Sequence, residues 1–261
     1  MNLYDRDYSQ FVSQEEIDAI AAYEAYETAP GIKTIENDPR FSHHSDFIKD
    51  FLWHHLSSFP NNHLNPITVR HLDLRTEAAQ FRDILERANN EQQVQRYIKD
   101  NRKWFIPASI YKEYNFGHHG AYIFPEQRFG AEYSADYVLL GQNSDGYSIV
   151  FIEFENPNCP FILQNQNTES NDVRKGLAQV RDWKRWLDAN RTYFLQSIGF
   201  MQKNIIVPTA RIFYCIVVSR RSALTDAARE LRSQLIFEER NLKIISYDRI
   251  VDNITKLVNG Y

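Results

Sequence analysis

The stretch AEYSADYVLL-GQNSDG-YSIVFIEFENP, residues 131–157, decides the fold class. Residues 133–140 and 147–155 read as two strands around a polar turn. Ile149, Val150, Phe151 and Ile152 are apolar without alternation, which places the second strand inside a sheet, covered on both faces. Pro157 ends its ladder. Downstream, residues 171–194 form a long helical pattern rich in Lys, Arg and Trp, followed by a strand (211–219), a helix (223–239), a strand (243–247) and a helix (248–258). Upstream, residues 111–116 and 121–129 are β-rich, and 76–105 reads as one or two helices ended by Pro107. Further back lie a strand over 67–74, a helix over 45–59 stopped by Pro60, and a helix opened by the capping pair Ser13 and Glu16. The order predicts an α/β sandwich around a mixed sheet.

Composition narrows the function. The chain has 261 residues, 43% hydrophobic and 25% charged, and a net charge of -4, so it is no globally basic nucleic-acid coat. A local basic patch is still open. No apolar run is long enough to span a membrane and MNLYDRDYSQ carries no apolar leader, so a cytoplasmic protein with no membrane partner is expected. Cys159 and Cys215 make neither a disulfide framework nor a CxxC site. No GxGxxG, GxxxxGK[ST] or GxSxG motif occurs, which leaves nucleotide hydrolysis and serine hydrolase chemistry without local support.

Glu153 and Glu155 stand two apart, on one face at the end of the inner strand. If the GQNSDG loop pairs Leu140 with Tyr147, Asp136 lies opposite Phe151 and diagonal to Glu153, roughly 7 Å away. A one-residue slip would turn Asp136 to the other face. Like charges 4 Å apart repel by about 4 kcal/mol at an effective dielectric of 20, so three carboxylates there require protons or a cation among them. Hard oxygen donors suit Mg²⁺ or Mn²⁺. The alternative is a solvated strand end.

The runs EQQVQRYIKDNRKWF (91–105), FGAEYSADYVLL, IVFIEFENP, GLAQVRDWKRW and IISYDRIVDNI resemble, in order and spacing, the nuclease domain of Shedu anti-phage defence proteins of the PD-(D/E)XK superfamily. The resemblance covers roughly residues 86–250. It implies a restriction-endonuclease-like mixed sheet flanked by helices over 86–261, with residues 1–85 a mixed N-terminal region of regulatory or assembly role. It also implies a homo-oligomer, with a tetramer as one form. Asp136 matches the family's metal-binding aspartate, Glu153 the acidic residue of the (D/E)XK motif, Gln179 a glutamine on the following helix and Glu91 the glutamate of the first core helix. The motif's lysine position holds Glu155, which cannot supply positive charge. Glu155 therefore marks a variant metal site with Asp136 and Glu153, a lysine arriving from elsewhere, or a binding-only domain. Lys175, one turn before Gln179, is a replacement lysine or an ordinary solvated one.

The expected function is a metal-dependent endonuclease hydrolysing DNA phosphodiester bonds in defence against phage, with Lys175, Arg181 and Lys184 as phosphate contacts. The alternative is a catalytically silent nucleic-acid-binding or oligomeric sensor module that keeps the fold. Trp183 and Trp186 are read as sheet-covering rather than base-stacking.

Overall fold

Side-chain caps set the helix starts in the computed structural model, which describes residues 6–163 and 166–261. Ser13 accepts from the Glu16 amide at the head of α1 (Gln14–Thr28), and Ser45 from Ile48 at α2 (Asp46–His55). Asn65 caps α3 (Pro66–Arg70), Asp73 caps α4 (Leu74–Arg87) and Asn90 caps α5 (Glu91–Asp100). The strand expected over 67–74 is therefore helix α3 and the start of α4. Asn65 accepts from the amides of Ile67 and Thr68, and Pro66 occupies the first turn, which together outweigh the β-branched content. Residues 1–5 of the N-terminus read as leaderless lie outside the described residues.

The chain divides into two units, one ending at His71 and one beginning at Leu72. The first buries Ala19, Ile20, Ile48, Phe51 and Leu52 between α1 and α2. The second continues through α5 and α6 (Phe105–Ala108) into β1 (Gly120–Phe129), β2 (Tyr133–Asn143) and β3 (Gly146–Phe154). It then runs through α7 (Asn171–Ser197), β4 (Ile212–Val217), α8 (Asp226–Glu238), β5 (Leu242–Ile245) and α9 (Tyr247–Ile254). Within this unit α4 packs on α9.

Among the described residues the strands form one five-stranded sheet in the order β1-β2-β3-β4-β5. The first three are antiparallel and the last two join in parallel, so the expected mixed sheet flanked by helices is present. β3 is central and buried from Ser148 to Phe154, as its unbroken apolar run requires. The strand expected at 111–116 is instead a 3₁₀ turn, Ser109–Glu113. Tyr111 points inward there, its hydroxyl 2.6 Å from the Leu140 carbonyl and accepting from the Tyr122 amide at 3.1 Å, so it pins β1 to β2 from outside the ladder.

α7 lays Val173, Gly176, Leu177, Val180, Trp183, Leu187 and Phe194 onto the sheet at helical spacing. Phe129, Phe151, Trp183 and Phe194 interlock there, with Trp183 stacked on Phe129 at 5.4 Å. Trp183 is thus core, as read from the sequence.

Candidate active site

The hairpin register builds the site. β2 and β3 close on the two-residue turn at Ser144 and Asp145, with Gly146 at φ 109 and the Asn143 side chain accepting from the Asp145 amide. Leu140 consequently pairs with Ile149, not with Tyr147. The slip relative to expectation is an even one, so Asp136 keeps its face. One step past the Tyr137–Ile152 pair, it comes abreast of Glu153 instead of diagonal to it.

Each carboxylate is then fixed by its own partners. Asp136 Oδ2 accepts the Phe154 N–H at 2.8 Å, and the Gln95 side chain of α5 hydrogen-bonds the same carboxylate. Glu153 is 5% exposed and bonded by Gln179 of α7. Glu155 is fully buried; its N–H donates to the Val217 carbonyl at 2.8 Å, and its own carbonyl accepts from the Tyr247 hydroxyl at 2.7 Å. Its Oε2 lies 2.9 Å from the Lys175 Nζ, which is also 3.5 Å from Glu91 Oε1.

These surroundings hold protons. Burial, ahead of any other influence, raises both the Asp136 and the Glu153 carboxyls above their ordinary values, and Glu153 is raised further by the charges of Asp136 and Glu155. Burial pushes Glu155 up to about 7 against the pull of Lys175. Burial works to lower the Lys175 ammonium, but its bond to Glu155 together with the charges of Glu155, Glu91 and Glu153 outweighs that and raises it.

Among the described residues no group of three His, Cys, Asp or Glu side chains is arranged to hold a metal ion. Lys175 has claimed Glu155. The remaining pair still suits Mg²⁺, which takes one or two carboxylates and completes its shell with waters and substrate phosphate. Glu153 Oε2 and Gln179 Oε1 are buried oxygens without a hydrogen-bond partner, and each costs about 1–3 kcal/mol unless water or a cation meets it. The donor set therefore fits a hard divalent cation.

The other expected phosphate contacts are differently employed. Arg181 and Lys184 both bind Glu239, each at 2.7 Å, tying α7 to the end of α8. Gln95 was missed by the sequence reading, although it follows Glu91 by four residues and so shares its helix face. Gly176 was missed too. A Cβ there would meet Ile216 Cγ2 at 3.0 Å and Glu155 Cγ at 3.2 Å, so the glycine sets how closely α7 approaches β3. Gly176→Ala is expected to lower stability by about 1–2 kcal/mol, crowding outweighing the gain in helix propensity. Thermal melts check this; an unchanged midpoint would mean that α7 has slack.

The model for "Shedu protein SduA, C-terminal" matches residues 88–251. Among curated proteins none matches. Among solved structures, the restriction endonuclease FokI bound to DNA is similar at 11% identity and a TM-score of 0.32. That alignment covers 100% of this chain and 47% of the FokI chain, so the chain spans about half of that protein's length. The family match takes in Glu91, Asp136, Glu153, Glu155, Lys175 and Gln179 together, and on it the chain belongs to the Shedu SduA family.

Proposed function

We propose that the chain is a metal-dependent DNA nuclease of an anti-phage defence system. The observation that carries the reading is the pair of half-buried Asp136 and buried Glu153, set abreast by the hairpin register, with Glu153 Oε2 left unpartnered. Carboxylates are not buried side by side for stability, since their repulsion and desolvation oppose folding.

Asp136 and Glu153 would hold Mg²⁺ or Mn²⁺, which when bound supplies Lewis-acid charge at the phosphate and an activated water. The chain's own groups position that pair. Gln95 and the Phe154 N–H hold Asp136, and Gln179 hydrogen-bonds Glu153. Glu91 stands at the head of α5 beside Lys175. The proposal includes the homo-oligomer that the sequence resemblance implies; light scattering would read it, and a monomer mass would overturn that part.

Incubation of the purified protein with supercoiled and linear DNA and Mg²⁺ or Mn²⁺, with EDTA controls, tests the reading. Cleavage abolished by EDTA is expected; intact DNA throughout would overturn it. Glu155 at the motif's lysine position favours a second reading, a module that binds DNA without cutting it. Under either reading DNA affinity falls as salt rises, by a slope of roughly 0.9 per neutralised phosphate on log-log axes. Because Glu239 already engages Arg181 and Lys184, the double variant Arg181→Gln, Lys184→Gln is expected to shift that slope by less than two full contacts, or about 1.8. Titrations of duplex binding at several salt concentrations would measure it; a loss of the full value would show that DNA displaces Glu239.

A further inference from the structure

Glu155 follows the last residue of β3, two residues past Glu153, and helix α7 brings a cation to it. Resting on the nuclease reading above, we propose that Lys175 is a catalytic residue contacting the scissile phosphate, and that Glu155 is the positioning residue that holds its ammonium at the site.

Three observations converge. Glu155 is fully buried, yet Lys175, with its side chain 53% exposed, reaches it at 2.9 Å, so one side of the ammonium is held from within and the other faces outward. A lysine ammonium has three donors. One meets Glu155 Oε2 and the charge is steadied from a second direction by Glu91 Oε1 at 3.5 Å, which leaves donor capacity for a phosphate oxygen. Gly176, next in sequence, lets α7 settle against Glu155 closely enough for the bond to form. The other cations of α7 are engaged differently: Arg174 with the Glu169 carbonyl, Arg181 and Lys184 with Glu239, Arg185 with Asp182, and Arg191 with the Thr209 hydroxyl.

A purely structural ion pair that fastens α7 to the sheet would give the same distances, so the test must separate position from fastening. The full chain is compared as wild type, Lys175→Met, Lys175→Arg, Glu155→Gln and the charge swap Glu155→Lys, Lys175→Glu. The readouts are single-turnover plasmid cleavage with Mg²⁺, circular dichroism melts, and duplex affinity against salt in EDTA. Lys175→Met is expected to slow cleavage on the order of 10²- to 10³-fold while the melt is retained, as befits a lost charge contact to the transition state. Its salt slope in EDTA should fall by about 0.9, the loss of one phosphate contact. Lys175→Arg should recover part of the rate. Glu155→Gln should lose about 10- to 100-fold, the range for a residue acting through another. The swap, which returns a cation to the strand, should exceed Lys175→Met by at least about tenfold.

Wild-type cleavage matched by Lys175→Met, with an unchanged salt slope, overturns the assignment and leaves the nuclease reading standing. A wild type that cuts no DNA overturns both. Should Lys175→Met fail to fold, the swap decides: folded and active supports the assignment, folded and inactive overturns it.

Discussion

Glu153→Gln and Asp136→Asn are expected to abolish cleavage while the protein stays folded. On the proposed function these carboxylates would hold the metal, and loss of one would forfeit several kcal/mol of transition-state stabilisation, roughly 10³-fold or more in rate. The fold does not suffer, because an amide oxygen at 136 can still accept the Phe154 N–H and neither change opens a cavity. For Glu153→Gln stability rises in metal-free buffer. Burial, then the charges of Asp136 and Glu155, raise the Glu153 carboxyl above its unfolded value, so the folded chain binds a proton that the unfolded chain releases. Stability is therefore lost as pH climbs from the unfolded carboxyl range, and an amide removes that loss. Melts in EDTA should show the variant above wild type at pH 8, with the gap closing towards pH 4. Cleavage by both variants at wild-type rate would remove the proposed site.

Trp183→Ala is expected to cost about 3–5 kcal/mol, a large share of a domain's stability. The indole is fully buried against Phe129 and near Phe151, and its removal leaves a cavity between helix and sheet that the interlocked rings cannot fill. Urea titration would show an earlier midpoint with an unchanged slope. Unaltered unfolding combined with weakened DNA binding would instead make Trp183 a base-stacking surface. Trp186 is only half-buried, and its loss should be milder.

The caps at Ser13 and Ser45 and the central placement of β3 were legible because each is written locally: a side chain three residues from an amide, or an apolar run. The pairing register was legible only in parity. Sequence alternation fixes which face Asp136 occupies, but the partner residue depends on how far the strands continue into the turn. Residues 67–74 and 111–116 were misread for one reason. Side chains that look β-forming were outvoted, by the Asn65 cap in one segment and in the other by Tyr111, whose hydroxyl is spent on two neighbouring strands. The place of Lys175 one turn before Gln179 marked it as a candidate, but its bond to Glu155 crosses from helix to strand, and no local pattern announces that partner.

α7 is a single rod of 27 residues that carries Lys175, Gln179 and Trp183 at successive turns. Taking Trp183 as the fulcrum, Lys175 lies on a lever arm of roughly 12 Å at 1.5 Å per residue. A tilt of about 5° at the fulcrum would swing that end by roughly 1 Å, a misplacement that can cost about 10²-fold in rate. On the proposed function the aromatic cluster under Trp183 would act as the bearing of the site, and wear in it would be felt in cleavage before any functional side chain had changed.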